Sequence, residues 1–354
     1  MKPCALIFIF STLILSAGCS PLPQENQVAF DKPVVIGSMS APGVERSIVR
    51  ITNDIYRFIH NIHTSLFVLT DSGVVLIDPL STDTAEWVKR EIESRFGKSV
   101  THILYSHGHE DHASGAAVFE GAEIISHFHT LDVITPRADA PLGFGYGAYD
   151  QNGDGLIEPF EVEGELPHPF TRLDTDANGI VTGQEVDVFY YRDVLPPTQT
   201  YEGDLHQIKI GGKTIEMHFV GGNHAADMSY IFFPEESIVF YVDVISLGAL
   251  PFGELPWYSQ ADSQNTYEVA LSIDADIAIP SHGRIGTQDD VRALQSYMGE
   301  LRQGVLSGMD AGLSLEEIQE TLVLEKYADW DHYEERRPQN IAGMYRVLKQ
   351  GLGD

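Results

Sequence analysis

Apolar and polar positions along the chain fall into short blocks with two distinct periods. Ser65–Thr70 and Val74–Ile77 are β-rich runs joined by Asp71-Ser72-Gly73, which predicts a hairpin with its turn residues in place. Thr84 to Phe96 has helical spacing, and the apolar run from Ser99 to Tyr105 predicts a strand. Further strands are predicted at Leu205–Ile210, Thr214–Val220, Tyr230–Phe233, Ile238–Val242 and Ile277–Ile279. The last third turns helical, and Thr287-x-x-Asp290 and Ser314-x-x-Glu317 resemble capping boxes. Strands alternating with helices around a long middle insertion predict a layered α/β protein.

The N-terminus has a different pattern. Met1-Lys2-Pro3 leads into an uncharged run from Ala5 to Leu15, followed by Ser16-Ala17-Gly18-Cys19. A basic start, an apolar stretch and a small-residue site describe a secretory signal, and the stretch is shorter than the ~20 residues a bilayer span needs. The small residues ending in Cys19 resemble the lipobox of bacterial lipoproteins, with Ser16 where Leu is commonest and Leu15 one place early. Residues 1–18 are therefore expected to be a signal peptide and Cys19 the lipid-bearing first mature residue. The expected location is exported: periplasmic, or held on a bacterial membrane by the lipid. Residues 19–45, rich in Pro and polar side chains, read as a tether.

Composition narrows the partners. The 354 residues are 43% hydrophobic and 10% aromatic, enough for a buried core and unlike a disordered chain. Against 52 Asp+Glu stand 22 Lys+Arg, a net charge of −30 that repels phosphate backbones and disfavours nucleic acid and anionic surfaces. Two cysteines allow at most one disulfide, so this is no disulfide scaffold. The expected partner is a small-molecule substrate.

The densest chemistry is Ser106-His107-Gly108-His109-Glu110-Asp111-His112, directly after the strand ending at Tyr105. Crowded imidazoles gain nothing from one another when neutral, and buried ones each need a partner. A divalent metal resolves this, because imidazole and carboxylate suit zinc or iron. Two metals about 3.5–4 Å apart can share such a loop.

Here the chain resembles the metallo-β-lactamase superfamily, whose His-x-His-x-Asp-His signature is followed by distant His, Asp and His. Gly221-Gly222-Asn223-His224, Val242-Asp243-Val244 and Pro280-Ser281-His282-Gly283 supply these in order, each after a predicted strand, and Asp78 in Leu76-Ile77-Asp78-Pro79 matches the upstream element. The resemblance spans about residues 50 to 285. It implies an αββα sandwich in which His107, His109 and His224 hold one metal, and Asp111, His112 and His282 the other, with Asp243 between them. Asp78 would orient the loop without binding metal. Two zinc ions are implied, with iron or manganese as alternatives. Other histidines have blander readings. His127 and His129 repeat a His-x-His spacing without an acidic companion and read as structural or pocket-wall residues. His60 and His63 sit near the first hairpin, with surface or core favoured over the pocket mouth. His102, His168, His206, His218 and His332 have no ligand context.

The middle insertion, about residues 136–199, holds a second signal. Asp150, Asn152, Asp154, Leu156, Glu158 and Glu161 occupy the ligand positions of an EF-hand loop, and Asp174, Asp176, Asn178, Ile180, Thr182 and Glu185 do so again, with Gly155 and Gly179 at the sharp turn. Oxygen donors in this pattern suit calcium's shell of six to eight oxygens, so two calcium ions are expected. Leu156 and Ile180 would offer backbone carbonyls, Glu158 and Thr182 would act through water, and Ile157 and Val181 would pair between the loops. Nearby glycines and prolines argue against full flanking helices, so calcium would staple the insertion rather than swing it open.

The resulting expectation is a metallo-β-lactamase-like domain over 46–290 that contains the insertion, and a helical C-terminal extension over 291–354. Its expected activity is hydrolytic: metal-bound hydroxide, oriented by Asp111, attacks a β-lactam, lactone or thioester carbonyl. Phe252, Trp257 and Tyr258 are candidates for the pocket wall. Two rivals remain: an iron-dependent thiol or persulfide dioxygenase of the same fold, and a calcium-dependent surface binding module with a vestigial site.

Overall fold

The computed structural model describes residues 34–41, 44–143, 145–162, 164–256 and 258–351. The larger of two sheets runs in spatial order through β1 (Val34–Ala41), β2 (Val44–Arg50), β3 (Ile55–His60), β4 (His63–Thr70), β5 (Gly73–Ile77), β6 (Val100–Leu104) and β7 (Glu123–His127). The insertion then contributes a separate ribbon, β8 (Leu156–Ile157) with β9 (Val181–Thr182). On its return the chain adds β10 (Gln199–Tyr201), parallel to β7. The smaller sheet is β11 (Leu205–Ile210), β12 (Lys213–Phe219), β13 (Ser229–Phe233), β14 (Ile238–Tyr241) and β15 (Ile277–Pro280), in that order. The helices are α1 (Thr82–Phe96), α2 (Glu110–Ala113), α3 (Thr130–Val133), α4 (Phe170–Leu173), α5 (Gly183–Tyr191), α6 (Gln260–Ser272), α7 (Gln288–Asp310), α8 (Leu315–Thr321) and α9 (Tyr333–Gly351).

Side-chain alternation builds the layers. In β5, Val74 and Leu76 join the core that holds Trp87, Val88 and Ile92 of α1, while Val75 and Ile77 join Ile215, Met217 and Tyr230 of the smaller sheet. A strand buried on both faces is an unbroken apolar run, as Val74–Ile77 is. The smaller sheet's core extends to Leu294, Tyr297 and Leu301 of α7 and Ile341 and Met344 of α9, which completes the αββα sandwich. Helix α1 starts on Ser81, whose side chain accepts from Thr84 N–H, and stops at Gly97 in the left-handed region (φ +60°). Both expected capping boxes, at Thr287 and Ser314, are formed.

The end of the expected tether differs. Residues 34–41 and 44–50 are an antiparallel strand pair at the edge of the larger sheet, pairing from Val34↔Arg50 to Ala41↔Val44 with a register shift between Val35 and Gly37. The β-branched Val34 and Val35 favour pairing, which also satisfies backbone groups that a solvated tether leaves to water. The signal segment and Cys19 lie outside the described residues.

The insertion has its own small core of Tyr146, Ile157, Leu173, Val181, Val186 and Phe189. The C-terminal helix α9 grips the loop that follows Asp243: the buried Asn340 Nδ2 donates to Pro251 O (3.0 Å) and Gly253 O (2.8 Å).

Candidate metal centre

Parallel neighbours β5, β6 and β7 in one sheet, and β14 and β15 in the other, end at a common edge of the sandwich. Asp78, His107, Asp243 and His282 follow the ends of β5, β6, β14 and β15, and His224 lies between β12 and β13. Asp243 is the centre of the arrangement. Its Oδ2 is 3.3 Å from His107 Nε2 and 2.9 Å from His224 Nε2. Its Oδ1 is 3.3 Å from His112 Nε2 and 3.1 Å from His282 Nε2. Ligand atoms of His107, His109, His224 and Asp243 lie mutually within 4.8 Å, as do those of His112, Asp243 and His282. One carboxylate therefore faces two clusters of imidazole nitrogens.

These residues fit divalent metal. His107 Nε2 and His112 Nε2 are buried and have no hydrogen-bond partner, a costly state that ligation removes. Burial raises the Asp243 carboxyl, but the imidazoles of His112 and His224 outweigh it and hold the group well below the usual carboxylate range. His109 is held well below the ordinary imidazole value by burial and by His107 and His224, so its ring stays neutral, as a ligand must be.

The orienting contacts are specific. Asp78, at φ +38°, accepts from Ser106 N–H (2.7 Å) and Ser106 Oγ–H (2.6 Å), and its Oδ2 lies 3.1 Å from His112 Nδ1, which turns Nε2 inward. This is the contact expected of a residue that orients the loop. Asp243 is also left-handed (φ +48°), a conformation uncommon outside glycine but tolerated by Asp. It is held there by Ser281: Asp243 N–H donates to Ser281 Oγ and Ser281 Oγ–H to Asp243 Oδ1, both at 2.9 Å. Asp111 sits at the rim, 43% exposed, with Oδ2 3.7 Å from His112 Nε2 and 3.3 Å from His63 Nε2. Burial pushes its carboxyl up, while His112 and the hydrogen bond from His63 pull it below the usual range.

Three contributors escaped the sequence reading. Asp227 is 1% exposed, and its Oδ2 accepts from Gly108 N–H and Thr130 Oγ–H, each at 2.7 Å. Ser281 and His63 are the others, and His63 sits in the site rather than in the core or on open surface. A carboxylate three residues after His224 and a hydroxyl beside His282 were the available signals. His127 is a packing residue, stacked on Phe219 at 3.7 Å, and His129 pairs with Asp132. His60 bonds to Thr84. Of the expected wall residues, Phe252 lies under the Arg336 guanidinium, Tyr258 packs against the core, and Trp257 is outside the described residues.

In the insertion, Asp150 accepts from the N–H groups of Gly153, Asp154 and Gly155, and Glu161 from those of Gln151 and Asn152. The second loop repeats this, with Asp174 taking Asn178 and Gly179 and Glu185 taking Thr175. Ile157 pairs with Val181 across the loops. Carboxylate oxygens of Asp174, Asp176 and Glu185 come within 4.8 Å of one another; among the described residues, Asp150, Asp154 and Glu161 do not form such a group. Flanking helices are short, four residues in α4 and nine in α5.

The sequence pattern of the Metallo-beta-lactamase superfamily matches residues 60–282, which include every histidine and carboxylate of the centre. The chain belongs to the metallo-β-lactamase superfamily. Among curated proteins it is 22% identical over 249 residues to the 2,4-dinitroanisole O-demethylase subunit alpha of Nocardioides sp. (strain JS1661), covering 69% of this chain and 58% of that one. Among solved structures, a double mutant of the sec-alkyl sulfatase PisA1 superposes with a TM-score of 0.62 at 17% identity, over 85% of this chain and 50% of that one. The stereoselective inverting sec-alkylsulfatase Pisa1 from Pseudomonas sp. gives 0.59 at 16% identity, over 84% and 49%. These superpositions support the superfamily fold, and the chain spans only about half to three-fifths of the length of these relatives.

Proposed function

We propose that the chain is an exported metal-dependent hydrolase acting on a small carbonyl substrate of β-lactam, lactone or thioester type. The observation that carries the hydrolase reading is the two-sided Asp243 carboxylate, with imidazole nitrogens 2.9 to 3.3 Å from its oxygens. Divalent metals at such a site, zinc first with iron or manganese as alternatives, supply a Lewis acid and make water acidic enough to react near neutrality. His107, His109 and His224 would hold one position; Asp111, His112 and His282 the other. Asp78 and Ser281 fix the ring and carboxylate orientations. Asp111, ionised at the rim, is placed to orient the attacking water and accept its proton. The ion pairs around Asp243 are with imidazoles, and Arg57 Nη2 is bonded to Gly283 O (2.6 Å) and Thr64 Oγ1 (3.0 Å). That environment favours a neutral or singly charged carbonyl over a dianionic ester.

The test is a panel of chromogenic β-lactam, lactone and thioester substrates on zinc- and manganese-loaded protein. A secondary alkyl sulfate and an aryl methyl ether, the bond types in the relatives' names, complete it. Chelator-sensitive turnover of a carbonyl substrate is expected. Turnover confined to the sulfate or the ether would refute the carbonyl assignment, and protein that takes up no transition metal would refute the hydrolase reading.

Two calcium ions are proposed to staple the insertion, supported by the two matching loops and the Ile157–Val181 pairing. Millimolar calcium should raise the melting temperature, about 2.7 kcal/mol per site at 100 times Kd. The rise should appear on top of that given by zinc at saturating zinc, and Glu161→Gln with Glu185→Gln should abolish it. Lipid anchorage at Cys19 rests on the N-terminal pattern: the wild type should partition with membranes and Cys19→Ala should not. Equal soluble recovery of both would show an ordinary secreted protein.

A further inference from the structure

The second half of the centre leans on one element, the β3–β4 hairpin. Three consecutive residues of the loop bearing His282 are bonded to it. Thr64 N–H donates to Ser281 O (2.7 Å), His282 Nδ1–H to Ile62 O (2.9 Å), and Arg57 Nη2–H to Gly283 O (2.6 Å). The hairpin also carries His63, whose ring meets that of His282 edge-on with centroids 5.0 Å apart. Its Nε2 lies 3.3 Å from Asp111 Oδ2. His63 thus stands between Asp111, which comes from the larger sheet, and His282, which comes from the smaller.

Asp111 needs such a partner. His112 is turned by Asp78, Asp243 is locked by Ser281, and the backbone between His107 and His109 is pinned by Asp227. Asp111 is 43% exposed on the four-residue helix α2, where a free carboxylate samples several rotamers. A donor on a braced hairpin removes that freedom.

We propose that His63 is a positioning residue for the second metal position, donating Nε2–H to Asp111 Oδ2 so that the carboxylate stays turned towards His112. The inference rests on the two-metal reading above. Because His63 approaches Asp111, His112 and His282, its loss acts on the second position and spares the one formed by His107, His109 and His224.

Cobalt(II) is the probe, titrated into metal-stripped full-length protein and followed by visible absorption, with the stoichiometry set by elemental analysis. Wild-type protein should take two ions. His63→Ala should weaken the second by roughly 10- to 100-fold, the usual effect of removing a group that orients a ligand, and leave the first unchanged. His63→Gln, which keeps an N–H donor of similar reach, should restore most of the affinity. An Ala variant that binds the second ion like the wild type overturns the proposal, as does equal weakening of both ions or a Gln variant no better than Ala. Wild-type protein that takes only one ion overturns the two-metal reading together with the proposal.

Discussion

Replacing Asp227 with Ala would show how far the metal loop is held from behind. Its buried Oδ2 accepts from Gly108 N–H and Thr130 Oγ–H at 2.7 Å each. Gly108 separates His107 from His109, so the first of these bonds fixes the backbone from which both rings hang. An unsatisfied buried donor costs about 1–3 kcal/mol, and the Ala variant would leave two. Two effects reduce the sum. A hydroxyl can reorient where a backbone N–H cannot, so only Gly108 N–H counts in full. Burial also pushes the Asp227 carboxyl up, so removing it recovers part of its desolvation. The expected net loss is about 2 kcal/mol, a fall in Tm of roughly 3 °C for a chain of this size. Zinc affinity at the His107–His109–His224 position should fall by roughly 10- to 100-fold. Asp227→Asn keeps an oxygen for Gly108 but sets its amide donors where Oδ1 has no partner, so it should recover zinc affinity more fully than stability. Scanning calorimetry of metal-stripped protein and chelator competition for zinc give the two numbers. Wild-type values in the Ala variant would refute the reasoning. An Asn variant as damaged as Ala would show that the charge matters rather than the hydrogen bonds.

Further outcomes follow from the same contacts. Asp243→Ala removes the carboxylate that faces both half-sites, one oxygen to each, so bound transition metal and turnover should fall together by elemental analysis and assay; metal retained at wild-type stoichiometry would refute a bridging role. Gly108→Ala puts a Cβ 2.8 Å from Ile134 Cγ2 and 3.2 Å from Thr130 Cγ2, so the loop must shift, and a ligand displaced by about 1 Å costs on the order of 100-fold in rate. His127, pushed down to about 4 by burial and then by His129, is neutral in the fold at pH values where the unfolded chain, near 6.5, takes a proton. Its contribution is therefore constant above pH 6.5 and falls as pH drops from 6.5 towards 4, and His127→Phe should flatten that part of a urea-stability profile.

The candidate ligands were legible in the sequence because most follow a strand end, where a short polar word interrupts an apolar run. Ser106–His112 after β6 and Ser281-His282 after β15 are such words, and parallel pairing brings their strand ends to one edge. Of the residues that hold these side chains in place, Asp78 was legible, but Asp227 and His63 were not, for the same reason in reverse. Asp227 acts on a backbone N–H in a distant loop, and His63 reaches Asp111 from the first residue of β4, just ahead of the predicted Ser65–Thr70 strand. Spacing along the chain carries no information about such contacts. The β1–β2 pair was misread because Pro and polar residues upstream dominated a window whose last part is β-branched.

The position of the insertion was beyond the sequence, and the structure ties both of its ends to the metal loop. At its entry, Thr130 bonds to Asp227 and Ile134 packs on Gly108; at its exit, Tyr105 Oη–H donates to Leu195 O at 3.2 Å. Between these points the insertion closes on its own core, and β10 returns beside β7 with the parallel register intact. The insertion therefore interrupts the chain without interrupting the sheet. A change inside its loops has a route to the metal ligands through α3 and through the Tyr105–Leu195 bond. Those contacts meet the loop at Gly108 and at the residue before Ser106, on either side of His107. A loosened insertion would thus be felt first at His107, whose Nε2 is buried beside Asp243.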